Sequence, residues 1–334
     1  MSQTFAVAVI GATGTVGETL VQLLEEREFP LGTLYLLASG DSVGQTVAFR
    51  GRNLRVQALT GFDFSQVRLA FFAASEASSR EYALQAREAG CSVIDLSGAL
   101  EEALPVVPEA NATALGEMAP PYLLSSPAPA ATALAAVLAP LSERYGLRRI
   151  TLNAMLSVSA FGRAGVAELA RQTTELLNMR PLEPQMFGRQ VAFNVLAQAG
   201  ESGQDGHAAM EVRIVRDLQR VLADSDLKIS VSCAVVPVFF GDSLAVSLEM
   251  KAPVDVAAVC EVLGQQAGIE LLEEGDYPSV VADAVGQDEL YVGRLRGGID
   301  DPAELNLWIA SDNVRKGSAL NAVQVGELLI KHYL

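Results

Sequence analysis

Residues 5–27 constrain the fold more tightly than any other stretch of the chain. Phe5 to Ile10 form an unbroken apolar run, the mark of a strand buried on both faces. Gly11-Ala12-Thr13-Gly14-Thr15-Val16-Gly17 follows, and Glu18 to Arg27 then reads as a helix with Leu20, Leu23 and Leu24 on one side. A strand that turns through glycines into a helix opens a βαβ unit. Its spacing, G-x-x-G-x-x-G, is a variant of the dinucleotide-binding G-x-G-x-x-G. Glycines permit a tight turn and a close approach of backbone to a pyrophosphate, and the helix start offers free N–H groups and partial positive charge. Gly11, Thr13, Gly14, Thr15, Val16 and Gly17 are therefore the expected phosphate cradle. A strand-to-helix turn that needs glycine only for its backbone angles fits the same residues.

The next segments repeat the alternation. Strands are expected at Leu34–Leu37, Arg68–Ala73, Ser92–Ile94 and Tyr122–Leu124, with a helix near Glu76–Ala89. This rhythm implies a parallel, Rossmann-like sheet. Past the second strand the chain reads Ser39-Gly40-Asp41-Ser42. Asp41 is placed to accept hydrogen bonds from a ribose 2′-hydroxyl and to repel a 2′-phosphate, which favours NAD over NADP. It also fits a solvated turn. An Ala/Leu-rich helix ending near Pro140 follows the last of these strands. From about Leu147 the strands lengthen, notably Lys228–Val236 and Ser243–Met250, and suggest a mixed or antiparallel sheet covered by helices 163–177 and 254–265. A strand at Leu305–Ala310 and a helix at Ser318–Tyr333 close the chain. The expected architecture is α/β: a dinucleotide-binding domain at 1–128, an α+β dimerisation or substrate domain at 129–312, and a C-terminal helix, 313–334, returning to the first domain.

Composition narrows the function. At 334 residues, about two domains are expected. A net charge of −16 repels phosphate backbones and anionic lipid, so neither nucleic acid nor a membrane is an expected partner. Cys91, Cys233 and Cys260 lack metal-ligand spacing and read as reduced, structural thiols in a cytoplasmic protein; no metal site is expected. The N-terminus has no basic region before its apolar run and reads as a strand, not a leader.

The glycine turn, VIDLSGAL at 93–100, VVPEAN at 106–111, AFNVLAQAG at 192–200, EVRIVRDLQRVL at 211–222, VVPVFFGDSLAVSLE at 235–249 and SDNVRKGSALNAVQVGELL at 311–329 together resemble aspartate-semialdehyde dehydrogenase, in that family's order. The resemblance implies an NADP-dependent dimer. In its reaction a cysteine attacks an acyl phosphate to form a thioester, a histidine moves protons, and basic residues hold the substrate's anionic groups. It adds Ser159, Asn321 and Gln324 to the expected cofactor shell.

The residues depart from that chemistry. The cysteine position of the family's SNPNCST-like stretch is Pro129, which has no nucleophilic atom. The histidine position is Asp242, read here as a turn aspartate ionised at neutral pH. The carboxylate-gripping arginine is replaced by Val235, a phosphate-binding arginine by Glu101, and a substrate-orienting glutamine by Leu156. Arg213, near Glu211, stands where the family has a lysine. In the family an arginine occupies the Asp41 position. A paralogous group without these residues, the Usg-type proteins, is the nearest resemblance. Two readings follow: a non-catalytic homodimer that retains a dinucleotide site, or an NAD-dependent oxidoreductase acting on another aldehyde, oxo or hydroxy substrate through Asp242, Ser159 or Ser243.

Overall fold

The computed structural model describes residues 5–332. In chain order the elements are β1 (Phe5–Ile10), α1 (Thr15–Glu26), β2 (Leu31–Ala38), β3 (Thr46–Phe49), β4 (Arg52–Arg55), β5 (Gln57–Ala58), β6 (Leu69–Phe72), α2 (Glu76–Glu88), β7 (Ser92–Asp95), β8 (Leu104–Pro105), α3 (Pro108–Asn111), β9 (Leu123–Ser125), α4 (Pro129–Tyr145), β10 (Leu147–Leu156), α5 (Gly162–Leu177), α6 (Ala209–Val221), β11 (Lys228–Val235), β12 (Asp242–Met250), α7 (Val256–Gly264), β13 (Ile269–Leu271), β14 (Leu290–Gly297), β15 (Glu304–Ser311) and α8 (Asn321–His332). A π-helical turn, Arg315–Leu320, precedes α8. Tyr333, expected in the last helix, lies outside the described residues.

The chain divides into two compact units. One comprises Met1–Ala128 and Ser318–Leu334, the other Pro129–Gly317. The first is built on a seven-stranded sheet of order β5-β2-β1-β6-β7-β9-β8, parallel at every pairing. β1 and β6 are wholly apolar because helices cover both faces. Val7, Val9 and Phe71 face a core shared with α1 and α8, while Ala8, Ile10 and Phe72 face the α2 side. Gly326 of α8 sits over Phe71 and Phe29, so close that a Cβ would lie 2.9 Å from the Phe71 ring. Arg27 and Glu327 clamp α1 to α8 at 2.8 Å.

A small β3–β4 hairpin was not read from the sequence. Its two-residue loop, Arg50-Gly51, has φ of +48° and +71°. Positive values at both central residues suit the right-handed twist of a two-stranded ribbon.

The second unit holds a mixed six-stranded sheet of order β11-β10-β12-β15-β14-β13. Its strands alternate. Ile150, Leu152, Leu244, Val246, Leu248, Leu305, Leu307 and Ile309 are buried toward helices. The covering helices are α4, α6 and α7. Helix 254–265 was expected there, but helix 163–177 was not placed correctly. α5 instead carries the loop that follows it. Glu168, buried in α5, accepts from Gln185 N, Gln172 Nε2 and Arg171 Nη2, and Gln172 Oε1 accepts from the buried N–H groups of Val191 and Ala192 at 2.8 and 3.2 Å. Gln172→Ala strands both amides and is expected to destabilise the chain by roughly 2–4 kcal/mol in urea unfolding. An unchanged midpoint would show that the loop is held by other means.

α4 also differs from expectation. It does not end at Pro140 but runs on to Tyr145 with the proline inside. A proline removes one helical hydrogen bond and crowds the preceding turn. Burial of Val137, Leu138 and Leu141 around it offsets that cost.

Candidate dinucleotide site and a buried aspartate network

The glycine turn lies at the C-terminal end of β1, where the strand order reverses: β2 is on one side and β6 on the other. Open parallel sheets bind ligands at this switch point. The three glycines serve different ends. Gly11 has φ +80°, donates its N–H to Leu37 O at 2.8 Å, and leaves space for no Cβ, which would lie 2.4 Å from Ala73 O. At Gly17 a Cβ would lie 2.1 Å from Gly11 O, so this glycine lets the helix pack against the turn. Gly14 is not left-handed, and it is less crowded than the other two. Its φ is −75°, and a Cβ would meet Gly11 O at 3.3 Å. It is the N-cap of α1, and no side chain caps that helix. The amides of Thr15 and Val16, on the first turn, thus have no helical acceptor.

Thr13 Oγ1 donates to Ser42 Oγ at 2.9 Å and ties the turn after β2 to the glycine loop. Ser39, Asp41 and Ser42 are thereby held beside it, with Ser39 and Asp41 exposed. On α8, Asn321 Nδ2 donates to Val106 O and Ser126 Oγ, whereas Asn321 Oδ1 and Gln324 Oε1 are buried without a hydrogen-bond partner among the described residues. Two buried acceptors left open on one helical turn suit a ligand that brings N–H donors. Ser126 was not singled out from the sequence, although it lies in the Ser125–Ala131 stretch that resembles the family's SNPNCST segment. Of the expected cofactor shell, Ser159 alone belongs to the second unit, where its hydroxyl bonds Asn313 Oδ1 and Ser157 Oγ at 3.0 and 2.9 Å.

In that unit Pro129 begins α4. A Cβ added to Gly317 would lie 2.7 Å from the Cβ of Pro129, so the ring packs directly on the glycine backbone. Val235 and Leu156 are buried. Cys91 and Cys233 are pushed up to about 12, chiefly by burial, so neither presents a thiolate at neutral pH. Arg213 does not pair as its nearness to Glu211 suggested. Its Nε lies 3.4 Å from Asp217, while Glu211 accepts from Ala208 N and Cys233 N.

Asp242 departs most from its sequence reading. It is no solvated turn residue but the first residue of β12, only 3% exposed. Oδ1 accepts from Ser157 N at 3.0 Å, and Ser157 Oγ lies 3.3 Å away. The same serine, Ser159 and Gly241 N converge on Asn313 Oδ1. Burial pushes the Asp242 carboxyl up to about 7; the Ser157 bonds oppose this, and the charge of Asp312 adds to it. Asp312 itself accepts from Val314 N, Arg315 N and Gly286 N. Two nearby carboxyls thus sit in unlike settings: one saturated with N–H donors, one held near its neutral form.

A semialdehyde dehydrogenase NAD-binding domain matches residues 6–118, and a semialdehyde dehydrogenase dimerisation domain matches residues 138–316. The chain belongs to the semialdehyde dehydrogenase family. It is 58% identical over 336 residues to a USG-1 protein homolog of Pseudomonas aeruginosa, covering all of both chains, and 42% identical to aspartate-semialdehyde dehydrogenase 2 of Vibrio cholerae, again over all of both. A solved structure described as a probable aspartate-semialdehyde dehydrogenase from Pseudomonas aeruginosa superposes with a TM-score of 0.97 at 58% identity, over 99% of this chain and 100% of that one. Among the described residues no helix is long and apolar enough to cross a membrane, and no acid, histidine or cysteine cluster could hold a metal ion.

Proposed function

We propose that this family member is a homodimer without aspartate-semialdehyde dehydrogenase activity that keeps a dinucleotide site. Pro129 carries the reading. A proline whose ring packs against Gly317 stands where the resemblance puts the nucleophile, and no thioester can form on it. Val235 and Leu156, at positions expected to grip and orient substrate, are buried apolar side chains. The nucleotide shell is better kept. Gly14 and the uncapped start of α1 suit a pyrophosphate, Asp41 a ribose 2′-hydroxyl, and the open oxygens of Asn321 and Gln324 a carboxamide. Bound there, a nicotinamide dinucleotide would supply hydride-transfer chemistry.

Calorimetric titration of nucleotide-stripped protein tests the site. NAD is expected to bind saturably and more tightly than NADP; binding of neither would overturn the dinucleotide claim. Phosphate-dependent oxidation of aspartate semialdehyde is expected to stay at the level of heat-killed protein. Turnover above that control, retained in Asp242→Ala, would overturn the claim of inactivity.

Asp242 supports a second reading, that of an oxidoreductase with a different substrate. A carboxyl near neutrality, hydrogen-bonded to Ser157, has the proton affinity that general acid–base chemistry requires. NAD-linked absorbance changes with a panel of small aldehydes and hydroxy acids, abolished in Asp242→Asn, would favour it.

A further inference from the structure

The chain between α5 and α6, residues 178–208, holds no helix and no strand beyond isolated bridges. Irregular stretches longer than about 15 residues are uncommon in compact units, and an ordered one generally serves a function. This one is fixed at several points. Gln185, Val191 and Ala192 hang by their N–H groups from buried Glu168 and Gln172. Leu196 exchanges two hydrogen bonds, of 2.9 and 2.8 Å, with Val235 at the end of β11. Held in this way, the stretch walls a cavity of about 870 Å³ that lies wholly within the second unit.

Part of the lining is apolar. Phe161 and Phe187 meet edge to face with their ring centres 5.1 Å apart, and Met186, Val195 and Leu196 line the same cavity. Val195 is 60% exposed, so apolar surface is presented to whatever enters. Two opposite charges line the cavity as well, Arg189 and Glu201. Among the described residues neither side chain makes an ion pair or a hydrogen bond. The backbone adds donors: the N–H groups of Ala197, Gln198, Gly200 and Glu201 have no protein acceptor among the described residues.

A ligand complementary to this lining carries a carboxylate for Arg189, an ammonium for Glu201, an apolar body for the aromatic pair and carbonyl oxygens for the open N–H groups. A simple anion satisfies Arg189 and is repelled by Glu201; a simple cation does the reverse. A nucleotide brings phosphates and no cationic group. A short apolar peptide with free ends meets all four requirements at once. A cavity of this volume falls in the range that small ligands occupy, which corresponds to about two or three residues.

We propose that this cavity binds a di- or tripeptide with free termini and apolar side chains, Arg189 taking its carboxylate and Glu201 its ammonium. The site is independent of the nucleotide reading above. Calorimetric titration of the full chain with leucyl-phenylalanine and with alanyl-leucyl-phenylalanine tests it, each peptide used free, N-acetylated and C-amidated. Saturable binding of a free peptide is expected, and either cap is expected to weaken it at least tenfold, as loss of a hydrogen-bonded charge does. Arg189→Gln is expected to weaken the free peptide at least tenfold and to leave the amidated one unchanged. Glu201→Gln is expected to do the same for the free and acetylated peptides. This cycle of caps and variants assigns each terminus to its side chain. Both positions are exposed, so the variants keep the fold, which circular dichroism checks. Binding of neither peptide would overturn the proposal. Binding that neither the caps nor the variants weaken would overturn it too, since the peptide would then lie elsewhere. Free phenylalanine bound as tightly as the peptides would overturn the assignment to a peptide.

Discussion

Gly17→Ala is expected to destabilise the chain by more than about 3 kcal/mol, whereas Gly14→Ala is expected to cost about 1 kcal/mol or less and to act on ligand binding instead. The difference follows from what a single methyl would meet. At position 17 it would lie 2.1 Å from the carbonyl oxygen of Gly11, and backbone cannot swing aside as a side chain can. Overpacking a well-filled core costs about 1–3 kcal/mol, and an unyielding backbone contact lies beyond that range. At position 14 the nearest atom, Gly11 O, is 3.3 Å away and the backbone angle is ordinary, so the turn need give by only a few tenths of an ångström and a modest N-cap preference is lost. The methyl would, however, add bulk to the glycine turn, where a pyrophosphate must come close to the backbone. Urea unfolding paired with NAD calorimetry separates the two effects. A Gly14→Ala protein with wild-type stability and wild-type affinity would mean that the cradle is only a turn.

The second large effect is a dependence on pH. The Asp242 carboxyl, ordinarily near 3.8, is raised to about 7 in the folded chain, first by burial. Below the ordinary value both folded and unfolded chains hold this proton, and the group does not affect stability. Between about 4 and 7 the folded chain retains the proton and the unfolded chain loses it, so stability falls as pH rises through this window. Above about 7 the loss is complete. The distance between the two values corresponds to a change on the order of 4 kcal/mol. Asp242→Asn keeps an acceptor for Ser157 and removes the titration. Its stability relative to the wild-type chain is expected to improve from pH 4 to pH 8. Comparing the two chains cancels the remaining carboxylates, which are common to both. A difference that stays constant across that range would show that Asp242 is ionised in the folded protein.

How much of this was visible beforehand depended on whether a residue's role is local. The β1–turn–α1 unit was legible because an unbroken apolar run, glycines at fixed spacing and a leucine face all lie within 22 consecutive residues, 5–26. The family was legible in the order of its motifs. Asp242 was misread because Gly-Asp-Ser after a proline is locally a turn. Its setting is shared with Ser157 and Asp312, which lie 85 and 70 positions away and are brought to it by the pairing of the strands that precede them. The bulge of β14 between Gly293 and Arg296, where Arg294 takes φ +53°, gave no signal either. Bulges depend on the register of two strands, and register is not a property of one of them. Short β5 and β8, two residues each, lie below the length at which alternation can be recognised. Pro140 was read as a stop because local propensity was weighed without the packing that overrides it.

The first unit is completed by α8, a helix separated from β1 by the whole of the second unit. On the ribosome, the apolar face formed by Val9, Phe29 and Phe71 therefore emerges long before Val323, Val325 and Leu329, which share its core. The second unit, contiguous in sequence, can close as soon as it is made, while the first must wait for the final segment. A chain truncated at residue 317 and released from the ribosome should thus expose the sheet of the first unit to chaperones even when the second unit is already resistant to protease. The half of this molecule that is begun first is thus the half that is finished last.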